Sequence, residues 1–89
     1  MYKVGNLVLA KAGKEKGQMF VIVALDGRYA YLADGDRLKR DKPKKKSFKH
    51  IKPCGNETLD EQVLLDKNDR VNSAIRKFIK LKGEVNVKG

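Results

Sequence analysis

Lysine and arginine residues are concentrated in one short segment of this 89-residue chain. Residues 37–52 include nine of them and a single acid, Asp41, so this basic segment carries +8 of the formal net charge of +10. Cationic groups crowded in this way create a local positive potential that attracts polyanions and accelerates their encounter. The chemistry that these residues offer is the binding of phosphate groups, above all those of a nucleic acid, and added salt weakens such binding steeply.

A smaller basic cluster lies near the N-terminus, in the sequence Gly13-Lys14-Glu15-Lys16-Gly17. At a loop tip, Lys14 and Lys16 can reach a backbone phosphate without burying their charge. The two glycines lack a Cβ, so they suit a turn with positive φ and equally the close approach of a phosphate, and both interpretations stay open. The predicted RNA-binding residues are Lys11, Lys14, Lys16, Arg37, Lys39, Arg40, Lys42, Lys44, Lys45, Lys46, Lys49, His50 and Lys52, with Gly13 and Gly17 as loop glycines.

Aromatic rings alternate with other side chains in two strand-like stretches, Tyr29 and Tyr31 in the first and Phe48 and His50 in the second. An exposed ring can stack on an unpaired base, whereas a buried ring fills the core. We favour packing for Tyr31 and Phe48 and leave both roles open for Tyr29 and His50. Tyr29 is the candidate for base stacking.

Only His50 and Cys54 suggest a metal ligand or a nucleophile. A closed zinc site needs about four ligands, and one histidine with one cysteine falls short. The glycine-bounded loop also lacks the Gly-Lys-Ser/Thr ending of a nucleotide-binding P-loop. We therefore predict no catalytic site, no metal and no cofactor.

Short apolar runs around these basic residues predict a mainly β fold. An Asp26-Gly27 pair between two such runs is typical of a two-residue hairpin turn, so the first three strands should form a meander. Two further short strands should flank a loop at residues 42–46. The first three predicted strands cover residues 7–11, 19–25 and 28–33, and the last of the five lies within residues 47–52.

The character of the chain changes after Cys54-Gly55. Thr58 and Glu61 match a capping box, which predicts a short helix over residues 59–66. Asn68 or Asp69 should cap a second helix that ends at Gly83. This helix has an apolar stripe that either packs on the strands or, if exposed, docks on a partner protein; its members are Val71, Ala74, Ile75, Phe78 and Ile79.

Residues 4–33 resemble a KOW motif, the RNA-associated element shared by several ribosomal proteins and by transcription elongation factors of the NusG type. The resemblance implies a small SH3-like barrel. Many members have a second glycine three residues after the one equivalent to Gly17, and here that position is Phe20. The matching residues are Gly5, the apolar Val8 and Ala10, Gly13, the basic stretch 14–16, Gly17, and the apolar Val21 and Val23.

The departure at Phe20 is shared by the large-subunit ribosomal protein fourteen family of eukaryotes and archaea. That family also continues into a third strand and a basic segment ending in a Phe-Lys strand, as Phe48-Lys49 does here. Residues 4–54 resemble this family and its short bacterial KOW-containing relatives. The resemblance implies an SH3-like barrel (KOW) with a basic loop in residues 1–55, to which we add a helical extension packed on it at 56–82 and a tail at 83–89.

These observations predict a non-enzymatic, cytoplasmic RNA-binding protein that associates with the ribosome or its RNA in translation. One cysteine cannot form an internal disulfide, which fits a reducing compartment. No apolar run approaches the roughly 20 residues that span a bilayer, so no membrane is expected as a partner. Two alternatives stay open: an adaptor that binds ribosomal or transcription proteins, and non-specific DNA binding.

Overall fold

The computed structural model describes the backbone of residues 1–87 and the side chains of residues 1–83. It confirms a mainly β fold with helices at the C-terminal end. A 3₁₀ turn at Phe48–His50 separates the last two strands. The strands are β1 (Asn6–Ala10), β2 (Met19–Asp26), β3 (Tyr29–Ala33), β4 (Lys44–Ser47) and β5 (Ile51–Thr58), and the helices are α1 (Glu61–Leu64) and α2 (Arg70–Val87).

The strands form one antiparallel sheet in the order β4-β3-β2-β1-β5. The predicted meander of β1, β2 and β3 is confirmed, and β5 returns to pair with β1 through Ala10 and Ile51. The β2–β3 turn lies one residue later than predicted, because Asp26 still pairs with Tyr29. Within the described residues β4 and β5 are edge strands with no ladder between them, so hydrogen bonding does not close a barrel.

Both faces of the sheet are buried, which explains why β2 is a continuous apolar run. Side chains alternate along a strand, so Phe20 and Ile22 enter one core while Val21 enters the other. The second core lies between the sheet and the helices, and the first lies on the opposite face of the sheet. The first contains Val8, Ala10, Phe20, Ile22, Ala30, Leu32 and Ile51, and the second contains Leu7, Val21, Ala33, Leu64, Val71 and Ile75.

The apolar stripe of α2 packs on the sheet, with Val71 and Ile75 buried and Phe78 and Ile79 half-buried beside them. The predicted helix end at Gly83 is wrong, because α2 continues to Val87. Glycine inside a helix costs only about 1 kcal/mol relative to alanine. Here it also avoids a collision, since a Cβ on Gly83 would lie 2.7 Å from the sulfur of Met19. The predicted tail is thus helical over residues 83–87, and residues 88–89 lie outside the described residues.

The first helix is shorter than predicted and has a different cap. Thr58 is the last residue of β5 and pairs with Asn6, so it does not cap α1. Asp60 takes that place, and its carboxylate accepts a hydrogen bond from the backbone N–H of Gln62 at 2.9 Å. Within residues 1–87, neither helix combines the length and apolar character that crossing a membrane requires.

Part of the predicted loop at residues 42–46 is strand β4, and the strand predicted before that loop is wrong, because residues 34–43 form turns and bends. Lysine has a low strand propensity, but it is common on edge strands, where its charge blocks pairing with other chains. The strand predicted within residues 47–52 is instead interrupted by the 3₁₀ turn. Ser47 caps this turn by accepting a hydrogen bond from the backbone N–H of Lys49 at 3.2 Å.

Candidate nucleic-acid interface

The β1–β2 loop, residues 11–18, brings the two basic clusters of the sequence together. Glu15 at its tip contacts lysines of β4, and it lines a small cleft together with Arg37. At the base of the loop, the backbone N–H of Lys11 donates to the carbonyl of His50 at 2.8 Å. Both clusters therefore meet at one end of the sheet, which we call the loop end.

The loop needs glycine at Gly13 and Gly17, whose φ angles are 82° and 88°. Its turns are closed by backbone hydrogen bonds, among them Gly17 N–H to the carbonyl of Ala10 at 2.9 Å. A Cβ on Gly17 would meet nothing within 4 Å, so backbone conformation alone explains this glycine. The predicted turn role is confirmed, and the approach of a phosphate to the open space beside Gly17 stays a prediction.

Glu15 holds two of the predicted RNA-binding lysines in an intramolecular ion cluster. Its two carboxylate oxygens lie 2.8 Å from the Nζ of Lys44 and 3.1 Å from the Nζ of Lys46. The two lysines share one face of β4, because they pair with the core residues Leu32 and Ala30. Only 10% of the Lys46 side chain and 18% of the Glu15 side chain are exposed. We call these three residues the Glu15 cluster.

The cluster keeps Glu15 ionised in acid. Hydrogen bonds from Lys44 and then from Lys46 lower the pKa of Glu15 from 4.5 to about 2. A carboxylate with a lowered pKa in the folded state adds stability above its unfolded pKa and loses it as the pH falls towards the folded value. The contribution of this group is therefore complete near neutral pH and disappears between pH 4.5 and about 2.

This pH window gives a prediction for Glu15→Gln, which cannot titrate. The variant should have a lower free energy of unfolding than the wild type at pH 6. The difference in unfolding free energy between the two proteins should fall by more than half by about pH 3. Urea unfolding of both proteins between pH 2 and pH 7 measures it. Other carboxylates titrate equally in both proteins, so only the difference is diagnostic. A difference that stays constant down to pH 2 would contradict the lowered pKa.

Arg40 connects the basic segment to the helices. Its Nε donates to the carboxylate of Asp41 at 2.8 Å, and a terminal nitrogen donates to the carbonyl of Leu64 at 2.7 Å, at the end of α1. Its backbone N–H donates to the side-chain carbonyl of the buried Asn72 at 2.8 Å. Asn72 in turn donates to the carboxylate of Asp69 at 3.0 Å. Through these bonds Arg40 attaches the basic segment to both helices. Nothing in the sequence pattern indicated this role for Asn72.

Gly35, just before the basic segment, lies directly against α2. Its φ is 80°, and a Cβ there would stand 2.2 Å from the carbonyl oxygen of Asn72. The guanidinium of Arg76 donates to the Gly35 carbonyl. Asp34 stiffens the same loop by accepting the backbone N–H of Leu38 at 2.9 Å. The Asp34-Gly35 pair after β3 marks a turn in the sequence, but it does not reveal that this turn packs on a distant helix.

The aromatic candidates have different environments. Tyr29 is 42% exposed, and the Nζ of Lys45 lies 4.4 Å from its ring centroid, in a cation–π contact. Base stacking on Tyr29 stays a prediction, with one face of the ring already covered by a cation. Phe48 packs against the first core and against Tyr2, with ring centroids 5.0 Å apart, as predicted for a packing residue. Tyr31 is half-buried and His50 is exposed.

The other predicted cations are exposed, and three of them lie in the β1–β2 loop. Within the described side chains, no ion pair or side-chain hydrogen bond involves them. They come from the β1–β2 loop, from the β3–β4 connection, and from the 3₁₀ turn and the start of β5. We call them the unpaired cations: Lys11, Lys14, Lys16, Arg37, Lys39, Lys42, Lys49 and Lys52.

Among the described residues, no group of three or more His, Cys, Asp or Glu side chains is placed to hold a metal ion. Cys54 is a free, half-buried thiol whose sulfur lies 3.9 Å from that of Met19. No protein-family model matches this sequence, and no curated protein matches it. The resemblance to KOW proteins stays a prediction.

Proposed function

We propose that this chain is a non-enzymatic RNA-binding protein that holds the RNA backbone at the loop end of its sheet. The observation that supports this best is the set of exposed, unpaired cations, three of which lie in the β1–β2 loop. An exposed ammonium or guanidinium group binds a phosphate with little desolvation, and the counterions released from the RNA favour the complex. A folded sheet holds these cations in a stable arrangement, which a disordered basic tail would not do.

We further propose that the sheet is an SH3-like barrel of the KOW type. The strand order β4-β3-β2-β1-β5, with β5 returning to β1 after a 3₁₀ turn, supports this topology. An irregularity in β2 between Ile22 and Ala24 supports it too, because such bulges bend a strand and let a sheet curl.

Phosphate contacts carry little sequence information, so recognition would depend on the shape of a folded RNA. Ribosomal RNA offers such shapes, and we propose ribosome association in the cytoplasm as the setting. Tyr29, beside Lys45, would add a stacking contact with an unpaired base.

Titration of a structured ribosomal RNA fragment at several salt concentrations tests the proposal. If about six phosphates are contacted, the slope of log affinity against log salt should be about −4 to −5. Duplex DNA of equal length is the control, and we expect weaker binding to it at equal ionic strength. A nearly flat salt dependence would refute phosphate binding, and equal affinity for both polymers would favour non-specific nucleic-acid binding.

The adaptor alternative has less support, because the apolar stripe that would dock a partner is covered by the sheet. Val71 and Ile75 of that stripe are buried within the protein. Sedimentation with ribosomes separates the two hypotheses. RNA binding predicts that co-sedimentation is lost in high salt, whereas docking on a ribosomal protein predicts that it persists.

A further inference from the structure

We propose that Glu15 determines specificity in this protein: it occupies, as an internal anion, the place where a phosphate would otherwise bind Lys44 and Lys46. This inference rests on the proposed RNA-binding function. It separates the unpaired cations, which hold RNA, from the lysines of the Glu15 cluster, which do not.

The geometry of the Glu15 cluster resembles that of a bound phosphate. Each carboxylate oxygen accepts one ammonium group, at 2.8 Å from Lys44 and 3.1 Å from Lys46. The loop backbone closes over the pair, since a Cβ on Gly13 would lie 3.2 Å from the Nζ of Lys46. A phosphate could reach both ammonium groups only by displacing Glu15.

The energetics favour the internal anion. Carboxylate and phosphate oxygens both form strong charge-assisted hydrogen bonds with an ammonium group. Glu15, however, is held on a short, hydrogen-bonded loop, so its effective concentration at the two lysines far exceeds that of any dissolved polyanion. The Glu15 cluster therefore attracts arbitrary polyanions with one net positive charge, where two unpaired lysines would offer two, and binding favours RNA that fits the unpaired cations.

The key variant is Glu15→Gln, which keeps the size of the side chain and removes its charge. Glu57→Gln is the matched control, because it adds the same unit of net charge and also removes the anion from an ion pair, with Lys82, on β5, near the start of β1 and away from the loop end. The assays are salt elution from heparin–agarose and titration with the structured RNA fragment. Circular dichroism spectra and thermal melts verify that both variants fold.

We expect Glu15→Gln to bind RNA about 25- to 60-fold more tightly at 0.1 M salt, since two freed lysines add two phosphate contacts at about 5- to 8-fold each. The slope of its log affinity for RNA against log salt should steepen by about 1.4 to 1.8. It should also elute from heparin at a higher salt concentration than Glu57→Gln. Equal behaviour of the two variants overturns the inference. Titration of the wild type with the same RNA tests the proposed function separately. If the wild type does not bind RNA, salt elution of the variants from heparin still tests the inference.

A triple variant with Glu15, Lys44 and Lys46 all changed to glutamine supplies a second measurement, which does not depend on how well Glu15→Gln folds. All three charged side chains of the cluster are replaced by neutral ones, so no unpaired charge remains there. If the cluster makes no phosphate contact in the wild type, the triple variant should bind heparin within about 3-fold of the wild type. A loss of 25-fold or more, equal to two contacts, would overturn the inference.

Discussion

Replacing Lys14, Lys16 and Lys39 together by glutamine should weaken binding of structured RNA by about 100- to 500-fold at 0.1 M salt. Each is exposed and belongs to the unpaired cations. Each phosphate contact raises log affinity by about 0.7 to 0.9 when the salt concentration falls tenfold, from 1 M to 0.1 M. The loss of three contacts therefore lowers log affinity at 0.1 M salt by about 2 to 2.7. Fluorescence anisotropy at several salt concentrations measures both the affinity and the slope, which should become shallower by the same amount.

A charge-matched control separates local contacts from net charge. Lys3, Lys67 and Lys77 are also exposed, and they lie before β1, between the helices and on α2. Changing these three to glutamine removes the same total charge and should weaken binding less than 10-fold. If both triple variants lose affinity equally, the RNA is not held at the loop end.

Changing Ile75 to alanine should destabilise the protein by about 2 to 5 kcal/mol. Ile75 is 0% exposed and lies on α2, in the second core between the sheet and the helices. Its truncation removes apolar contacts and leaves a cavity that the close-packed surroundings fill only in part. Because small domains are stable by only about 5 to 15 kcal/mol, the midpoint of urea unfolding followed by circular dichroism should shift markedly.

Leu81 on the same helix is the control, because it is 63% exposed. Its change to alanine should alter stability by no more than about 0.5 kcal/mol. Similar effects for the two variants would mean that α2 does not pack on the sheet through Ile75. RNA binding by the Ile75 variant should also fall at elevated temperature, since α2 anchors the basic segment through Asn72 and Gly35.

Much of the fold follows from local patterns in the sequence. Alternating and continuous apolar runs predicted the first three strands and their meander, and the spacing of Val71, Ile75 and Phe78 predicted the apolar face of α2. The glycine-bounded loop predicted the positive φ at Gly13 and Gly17. The predictions failed where a local preference competes with a distant partner, as in β4, where a lysine run becomes a strand because β3 offers its free edge.

The sequence by itself determined the first three strands, the apolar face of α2, and the positive charge with its concentration near residues 37–52, because these depend on composition and on neighbours a few residues apart. Only the tertiary structure decided which cations are unpaired. Glu15 meets Lys44 and Lys46 across 29 and 31 residues, and the guanidinium of Arg40 meets the carbonyl of Leu64 across 24. A carboxylate attracts the ammonium groups that the folded chain brings within a few ångströms of it, because Coulomb energy depends on distance in space, whatever the separation in sequence.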